Sequence, residues 1–273
     1  MNWSNCWKGV GASVIGHDHL RREMPLQDAS AAILVPRPAA VVCDGAGSAL
    51  MSHDGAKAAV REFRIAVSAM EPLLADSLDS ERTPWGFADD LWRYTAGWIV
   101  RALAAARDEA AREGTGCPED YSFTFAAAVV GRLRTGFVQV GDGAICVKTR
   151  CGCNLAFKPE KGRYANMTPF LGAETVENDS FLTRVVPTSA IRGLMVMSDG
   201  PEVNMVDMTT MRPAPVVAMM IDDCASGEMG RDSLLNYLTG SRWYGDSRGG
   251  DDKSIVVLAS EVTINEVKQD EHR

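Results

Sequence analysis

Four short stretches of this sequence join an apolar run to an Asp-Gly or Asp-Asp pair: VVCDGAG at 41–47, VQVGDGA at 138–144, LMVMSDG at 194–200 and GGDDKSIVV at 249–257. A carboxylate at the rim of a buried strand has a fixed backbone behind it, and an adjacent glycine lets the chain turn or another group approach closely. Several such carboxylates at one rim would repel each other and rise in pKa, and a divalent cation between them removes that repulsion. The donors are hard oxygens, which suits Mg²⁺ or Mn²⁺ rather than zinc. The four His and seven Cys show no tetrahedral zinc spacing, because Cys151 and Cys153 have no matching second pair. Asp-Gly between apolar runs is also a hairpin signal, and the stretch around Asp142 reads most plainly as one. Each stretch alone is open to either reading; the four together define a candidate oxygen-ligated metal site.

The elements that must position these residues follow from hydrophobic period. Residues 10–16, 29–36 and 38–43 read as short strands, the last stopping at Asp44. From Ser52 the period becomes helical, with Ala56, Ala59, Val60, Phe63, Val67 and Met70 on one face. His53 at its start reads as a capping residue. A loop containing Pro72, Asp76, Ser80 and Pro84 leads to a second helix over 87–112. Its buried stripe is expected to be Leu91, Tyr94, Trp98, Ala102 and Ala105, with Gly114 and Gly116 stopping it. Strands are expected at 122–133, 136–141, 144–149, 181–187, 192–198 and 254–260, with shorter helices at 214–223 and 229–239. Strands, two long helices and more strands suggest one domain over 1–273 in which helices cover β-sheets, its core at about 8–262 and a polar tail at 263–273.

Composition narrows the function classes. Of 273 residues, 36 are Asp or Glu and 28 Lys or Arg, a formal charge of −8, which excludes a nucleic-acid backbone as the main partner. No apolar run reaches the length needed to span a bilayer. The start, MNWSNCWKG, has no basic stretch followed by an apolar one. An odd number of scattered cysteines fits reduced thiols, so a cytoplasmic location is expected.

Six segments, in order along the chain, carry a resemblance: GASVIGHDHLRREMPLQDA (11–29), VCDGAGSALMSHDGAKAAV (42–60), VGDGA (140–144), GRYANMTPFLG (162–172), SDG (198–200) and DDKSIVV (251–257). Together they resemble the metal-dependent protein Ser/Thr phosphatase family (the PPM, or type 2C, class), in particular its bacterial branch. The resemblance implies an α+β fold, a four-layer α-β-β-α sandwich of two mostly antiparallel sheets. It implies that Asp44 bridges two Mn²⁺ or Mg²⁺ ions, that Gly45 offers a backbone carbonyl, and that Asp199 and Asp251 hold the other metal. Asp142 resembles a ligand of a third, weaker site, and Asp28 an acidic position that holds metal-bound water. The implied reaction is attack of a metal-bridging water on phosphoserine or phosphothreonine of a protein, opposing a Ser/Thr protein kinase.

The chain departs from the family pattern at three places. Gln27 stands where many members have Glu, and Ala46 where eukaryotic members have a His proton donor, which leaves His17, His19 or His53 as candidates for that role. Glu23 sits near the place of the phosphate-clamping Arg, with Arg21 and Arg22 beside it; Arg22 and His19 are carried as candidate catalytic residues. These departures also motivate an alternative, a weakly active or inactive binding module on the same fold. A third reading is a phosphohydrolase acting on a small molecule.

Overall fold

The strands that carry the aspartates lie in two different sheets. The computed structural model describes residues 6–157, 169–172, 175–176, 178, 180–240, 243 and 250–260. One sheet has the order β1-β12-β9-β6-β7, formed by β1 (Trp7–Val14), β12 (Lys253–Ser260), β9 (Ile191–Met197), β6 (Ala144–Thr149) and β7 (Gly152–Leu155). The other has the order β2-β3-β4-β5-β8, formed by β2 (Ala29–Ile33), β3 (Ala39–Gly45), β4 (Phe123–Val130), β5 (Arg134–Val140) and β8 (Leu182–Pro187). Every neighbouring pair is antiparallel. A two-residue ladder, β10 (Val206–Asp207) with β11 (Arg212–Pro213), stands apart.

Alternation along the central strands explains the layers. In β3, Val41 and Cys43 pack toward the helices while Ala40 and Val42 meet the opposite sheet, beside Val196, Val256 and Leu258. Strands buried on both faces read as continuous apolar runs, as FTFAAAVV of β4 does. Two helices cover the β2–β8 sheet: α2 (Ser52–Ala69) and α4 (Trp85–Glu113), joined through the short α3 (Glu71–Leu74) and a π-helical turn at Ala75–Asp79. The other sheet is covered by α6 (Pro215–Ser226) and α7 (Arg231–Leu238), so the expected α-β-β-α sandwich is present. Two shorter α-helices, α1 (His17–Arg21) and α5 (Asp199–Met205), sit beside the aspartates.

The stripe expected on α2 is buried as read at Ala56, Ala59, Phe63 and Val67, with Val60 and Met70 packed against it. On α4 the expected stripe lies on the wrong face. Tyr94 and Trp98 are exposed by 56% and 44%, and the buried residues include Ala88, Trp92, Ala96, Ile99 and Leu103. Anchoring the period on Tyr94 and Trp98 rotated the reading; the small residues Ala88 and Ala96 carry the true stripe around one large side chain, Trp92. Its indole Nε1 donates to the Phe137 carbonyl at 2.8 Å, and its ring fills the space over Gly136. The stretch around Pro72 and Asp76, expected as a loop, is helical, with Pro72 in the first turn where its missing N–H is no loss. The single strand expected over 122–133 ends at Val130, because Gly131–Leu133 turn the chain into β5. β7 and α5 were not foreseen. The polar tail and Asn166 and Thr168 lie outside the described residues.

Register brings one end of each sheet together. Gly45 pairs with Phe123, Phe125 with Val140, and Ala29 with Cys43, so Asp28, Asp44 and the turn after β5 share an end of one sheet. Ala144 and Ile255 both pair with Met197, and Val14 with Lys253, so the 142, 199 and 251–252 turns share an end of the other. The turn at Asp142 links the two ends, as does the segment from Val14 to Ala29 that carries α1. Expected as a hairpin, the Asp142 turn instead crosses between sheets, since β5 and β6 are not paired.

A methyl group at Gly136 would run into the Trp92 indole. Gly136→Ala is therefore expected to lower stability by about 1–3 kcal/mol in urea unfolding. An unchanged midpoint would show that the indole is not held there.

Candidate active site at the strand ends

Asp44 is the last residue but one of β3, and Asp28 immediately precedes β2, the neighbouring strand. Asp199 opens α5 directly after β9, and Asp251 and Asp252 lead into β12. The five aspartates expected at the site, Asp28, Asp44, Asp142, Asp199 and Asp251, form one electrostatic cluster. Asp28, Asp199 and Asp251 act on Asp44, and Asp142 and Asp251 act on Asp199. Asp44 and Asp199 interact directly, so that a proton held by Asp44 favours the charged form of Asp199.

Burial dominates the protonation of this cluster. It pushes the Asp28 carboxyl up from 3.8 to about 7, with Asp252 and Asp199 adding to the rise and the Ser198 hydroxyl opposing it. Burial likewise holds Asp44 well above the usual carboxylate range, with the Asp28 charge next in weight. Asp199 is raised by burial and by Asp142 and Asp251, against its interaction with Asp44. Glu202, one turn further along α5, rises to about 7 through burial and then the charges of Asp142 and Asp199.

The residues around the cluster hold it open to a cation. Asp28 is 3% exposed; its Oδ2 accepts from Ser198 Oγ at 2.7 Å, and its Oδ1 is buried with no donor. Asp199 Oδ1 and Gln27 Oε1 are also buried without a donor, while Gln27 Nε2 donates to Ser52 Oγ at 2.9 Å. A β-carbon at Gly45 would lie 2.8 Å from the Gln27 carbonyl oxygen and 2.9 Å from Ser52 Oγ, so this position requires glycine. Acceptor oxygens without donors in a buried acidic cluster fit a hard divalent cation. Among the described residues, no three His, Cys, Asp or Glu side chains close a ready-made shell, so carbonyl and water oxygens would complete the coordination.

Asp252 was missed by the sequence reading, which named only its neighbour. It is 2% exposed and accepts from the Gly16 N–H at 2.7 Å and the Gln27 N–H at 2.6 Å, which ties the loops before α1 and β2 to the start of β12. The doublet itself was the available signal, and its two residues divide, Asp251 lying exposed in the turn and Asp252 buried beside it. Glu202 and Ser198 were also missed; the spacing of three from Asp199 to Glu202 becomes informative only once α5 is recognised.

The histidines and arginines divide. His19 is buried, its Nδ1 2.9 Å from Asp252 Oδ1 and its Nε2 3.6 Å from Asp251 Oδ1, so it is brought to the cluster. His17 lies against Asp18. His53 does not cap α2, whose first turn has no side-chain cap, and its Nδ1 is buried without a partner. Arg21 pairs with Asp18 at 2.8 Å, while Arg22 is exposed at the end of α1 and is not drawn into the cluster. Asp207 is exposed and accepts the N–H groups of Thr209 and Thr210 in a turn, so it does not belong to this rim.

The model of the protein phosphatase 2C family matches residues 15–238. Serine/threonine-protein phosphatase 3 of Escherichia coli strain K12 is 30% identical over 178 residues, covering 62% of this chain and 64% of that protein. The match thus spans less than two thirds of the curated relative. Among solved structures, the chain is similar to PppA of Pseudomonas aeruginosa (TM-score 0.56, 14% identity, 93% of this chain and 97% of that one). It is also similar to the serine-threonine phosphatase 2C of Toxoplasma gondii (0.57, 16%, 93% and 95%). The catalytic domain of PstP, in complex with two manganese ions, matches with a TM-score of 0.54 at 14% identity over 93% and 98%. At these identities the structural likeness is one of fold. The chain belongs to the protein phosphatase 2C family.

The raised carboxyls give a pH dependence in metal-free protein. Between about pH 4 and 7 the unfolded chain has released the Asp28 proton while the folded protein still holds it, so stability falls as pH rises through that window and stays low above it. Thermal melts in EDTA should show this decline, and Asp28→Asn should lessen it, the remainder coming from Asp44, Asp199 and Glu202. A wild-type midpoint that rises from pH 5 to 8 would contradict the assignment.

Proposed function

We propose that the chain is a metal-dependent phosphoprotein phosphatase that hydrolyses phosphoserine and phosphothreonine, and so opposes a Ser/Thr protein kinase. The observation that carries this reading is the convergence of Asp28, Asp44, Asp142, Asp199 and Asp251 at one end of the sandwich, with buried acceptor oxygens that no donor meets. Family membership and the name of the Escherichia coli relative support the same chemistry. Two Mn²⁺ or Mg²⁺ ions, when bound, would supply the Lewis acidity that makes water nucleophilic at neutral pH and offsets the phosphate charge.

The chain's own residues take these roles. Asp44, on which Asp28 of its own sheet and Asp199 and Asp251 of the other both act, would help to hold both ions, with the Gly45 carbonyl beside it. Asp199 and Asp251 would complete one ion's protein ligands, and Asp142 with Asp199 would serve a third, weaker site. Asp28, whose Oδ1 has no donor, would accept a hydrogen bond from the attacking water; the unmet oxygen supports that role. His19 touches Asp251 and Asp252 and orients that turn. Arg22, exposed just past the end of that short helix and outside the carboxylate cluster, is the cation we assign to the substrate phosphate. The retained carboxylates argue against an inactive binding module.

Release of phosphate from a phosphothreonine peptide with Mn²⁺ tests the reading. EDTA should abolish it, and Asp44→Asn should lower kcat by at least about 10³-fold in a protein that still melts cooperatively. Turnover that ignores EDTA, or a fully active Asp44→Asn, would refute it. Preference for small phosphate esters over every peptide would shift the substrate class. Arg22→Ala should raise KM about tenfold with a smaller change in kcat; an unchanged KM would remove Arg22 from the phosphate site.

A further inference from the structure

Lys253 is the first residue of β12, and only 3% of it is exposed. Lysine is almost never buried to that degree without compensation. Its Nζ donates to the backbone carbonyl of Asp251 at 2.6 Å and stands 5.7 Å from the centre of the Trp243 ring. Trp243 is itself fixed: it is 2% exposed, its Nε1 donates to the Tyr237 carbonyl at 2.8 Å, and its ring meets Tyr237 edge-on at 5.9 Å. The lysine stem runs beneath Gly200, next to Asp199, where a β-carbon would meet the Asp252 carbonyl oxygen and approach Lys253 Cγ at 3.5 Å. Four carboxylates, Asp251, Asp252, Asp28 and Asp18, act on the ammonium charge.

A buried ammonium over an indole face, held against the backbone of the Asp251 turn, adds positive charge beside the rim Asp251 and the buried Asp252 and Asp28. We propose that Lys253 is a resident counter-cation of the carboxylate cluster: it stabilises the cluster while divalent cations are absent and opposes their binding, so that it sets how tightly this chain holds them. This rests on the reading of the cluster as a divalent-cation site. Lys253 acts through Asp251 and its neighbours and is a positioning residue, not a catalytic one. A purely structural brace would stabilise metal-free and metal-loaded protein equally; a counter-cation stabilises the metal-free form more, because there the carboxylates have no other partner.

The test uses the full chain, with thermal melts in EDTA and in saturating Mn²⁺ and calorimetric titration with Mn²⁺. Lys253→Met keeps the length and apolar stem while removing the charge. It should lower the melting temperature in EDTA more than in Mn²⁺, and tighten the Mn²⁺ dissociation constant about fivefold. Lys253→Arg, which keeps the charge, should stay near wild type in both. A Lys253→Met protein that folds only with Mn²⁺ would support the proposal. Equal losses with and without Mn²⁺, an unchanged or weaker dissociation constant, or a failure to fold under both conditions would overturn it in favour of a plain brace. If wild-type protein takes up no Mn²⁺, the cation site itself fails and this proposal falls with it.

Discussion

Carboxylates packed at the end of a sandwich cannot all be ionised and unpartnered, and the structure at this end is arranged around that constraint. Asp28 and Asp252 are both almost wholly buried, yet they are treated differently. Asp252 is met by two backbone N–H groups and flanked by His19, and it serves as an internal anchor between three segments. Asp28 receives one hydroxyl from Ser198, and its second oxygen is left without a donor. Burial then raises Asp28 to about 7 and carries Asp44 and Asp199 upward too. A site in this condition holds a proton or a cation, and the donor types favour a hard cation.

Topology makes the gathering possible. The antiparallel ladders place the end of β3 beside the start of β4 and the start of β2, and the end of β9 beside the starts of β6 and β12. Residues more than two hundred positions apart thereby share one rim. Close backbone approach completes it: a β-carbon at Gly16 would collide with Gly250 and Asp251, and one at Gly200 with the Asp252 carbonyl oxygen. The glycines next to the aspartates are thus explained by packing between turns from different strands. Hairpin geometry, their other common use, applies to none of these contacts.

Much of this was legible in the sequence. Central strands announce themselves as unbroken apolar runs, and α2 carries its buried face at a clean helical period. What was not legible depends on tertiary context. Tyr94 and Trp98 looked like a buried stripe because aromatic residues usually weigh most in burial, but Ala88 and Ala96 let α4 lie close to the sheet around Trp92 instead. Asp142 looked like a hairpin because the same dipeptide serves a tight turn and a crossing between sheets, and only strand pairing separates the two. Strand-end spacing found the outward aspartates. It could not find Asp252, Glu202 or Lys253, whose importance lies in what surrounds them after folding.

The central claim is that the rim carboxylates share a pair of hard cations. Crystals grown with Mn²⁺ and measured at an anomalous wavelength test it most directly. The account predicts two strong peaks bridged by Asp44, with Asp199 and Asp251 ligating one of them. Peaks away from this rim, or none at saturating Mn²⁺, would contradict it.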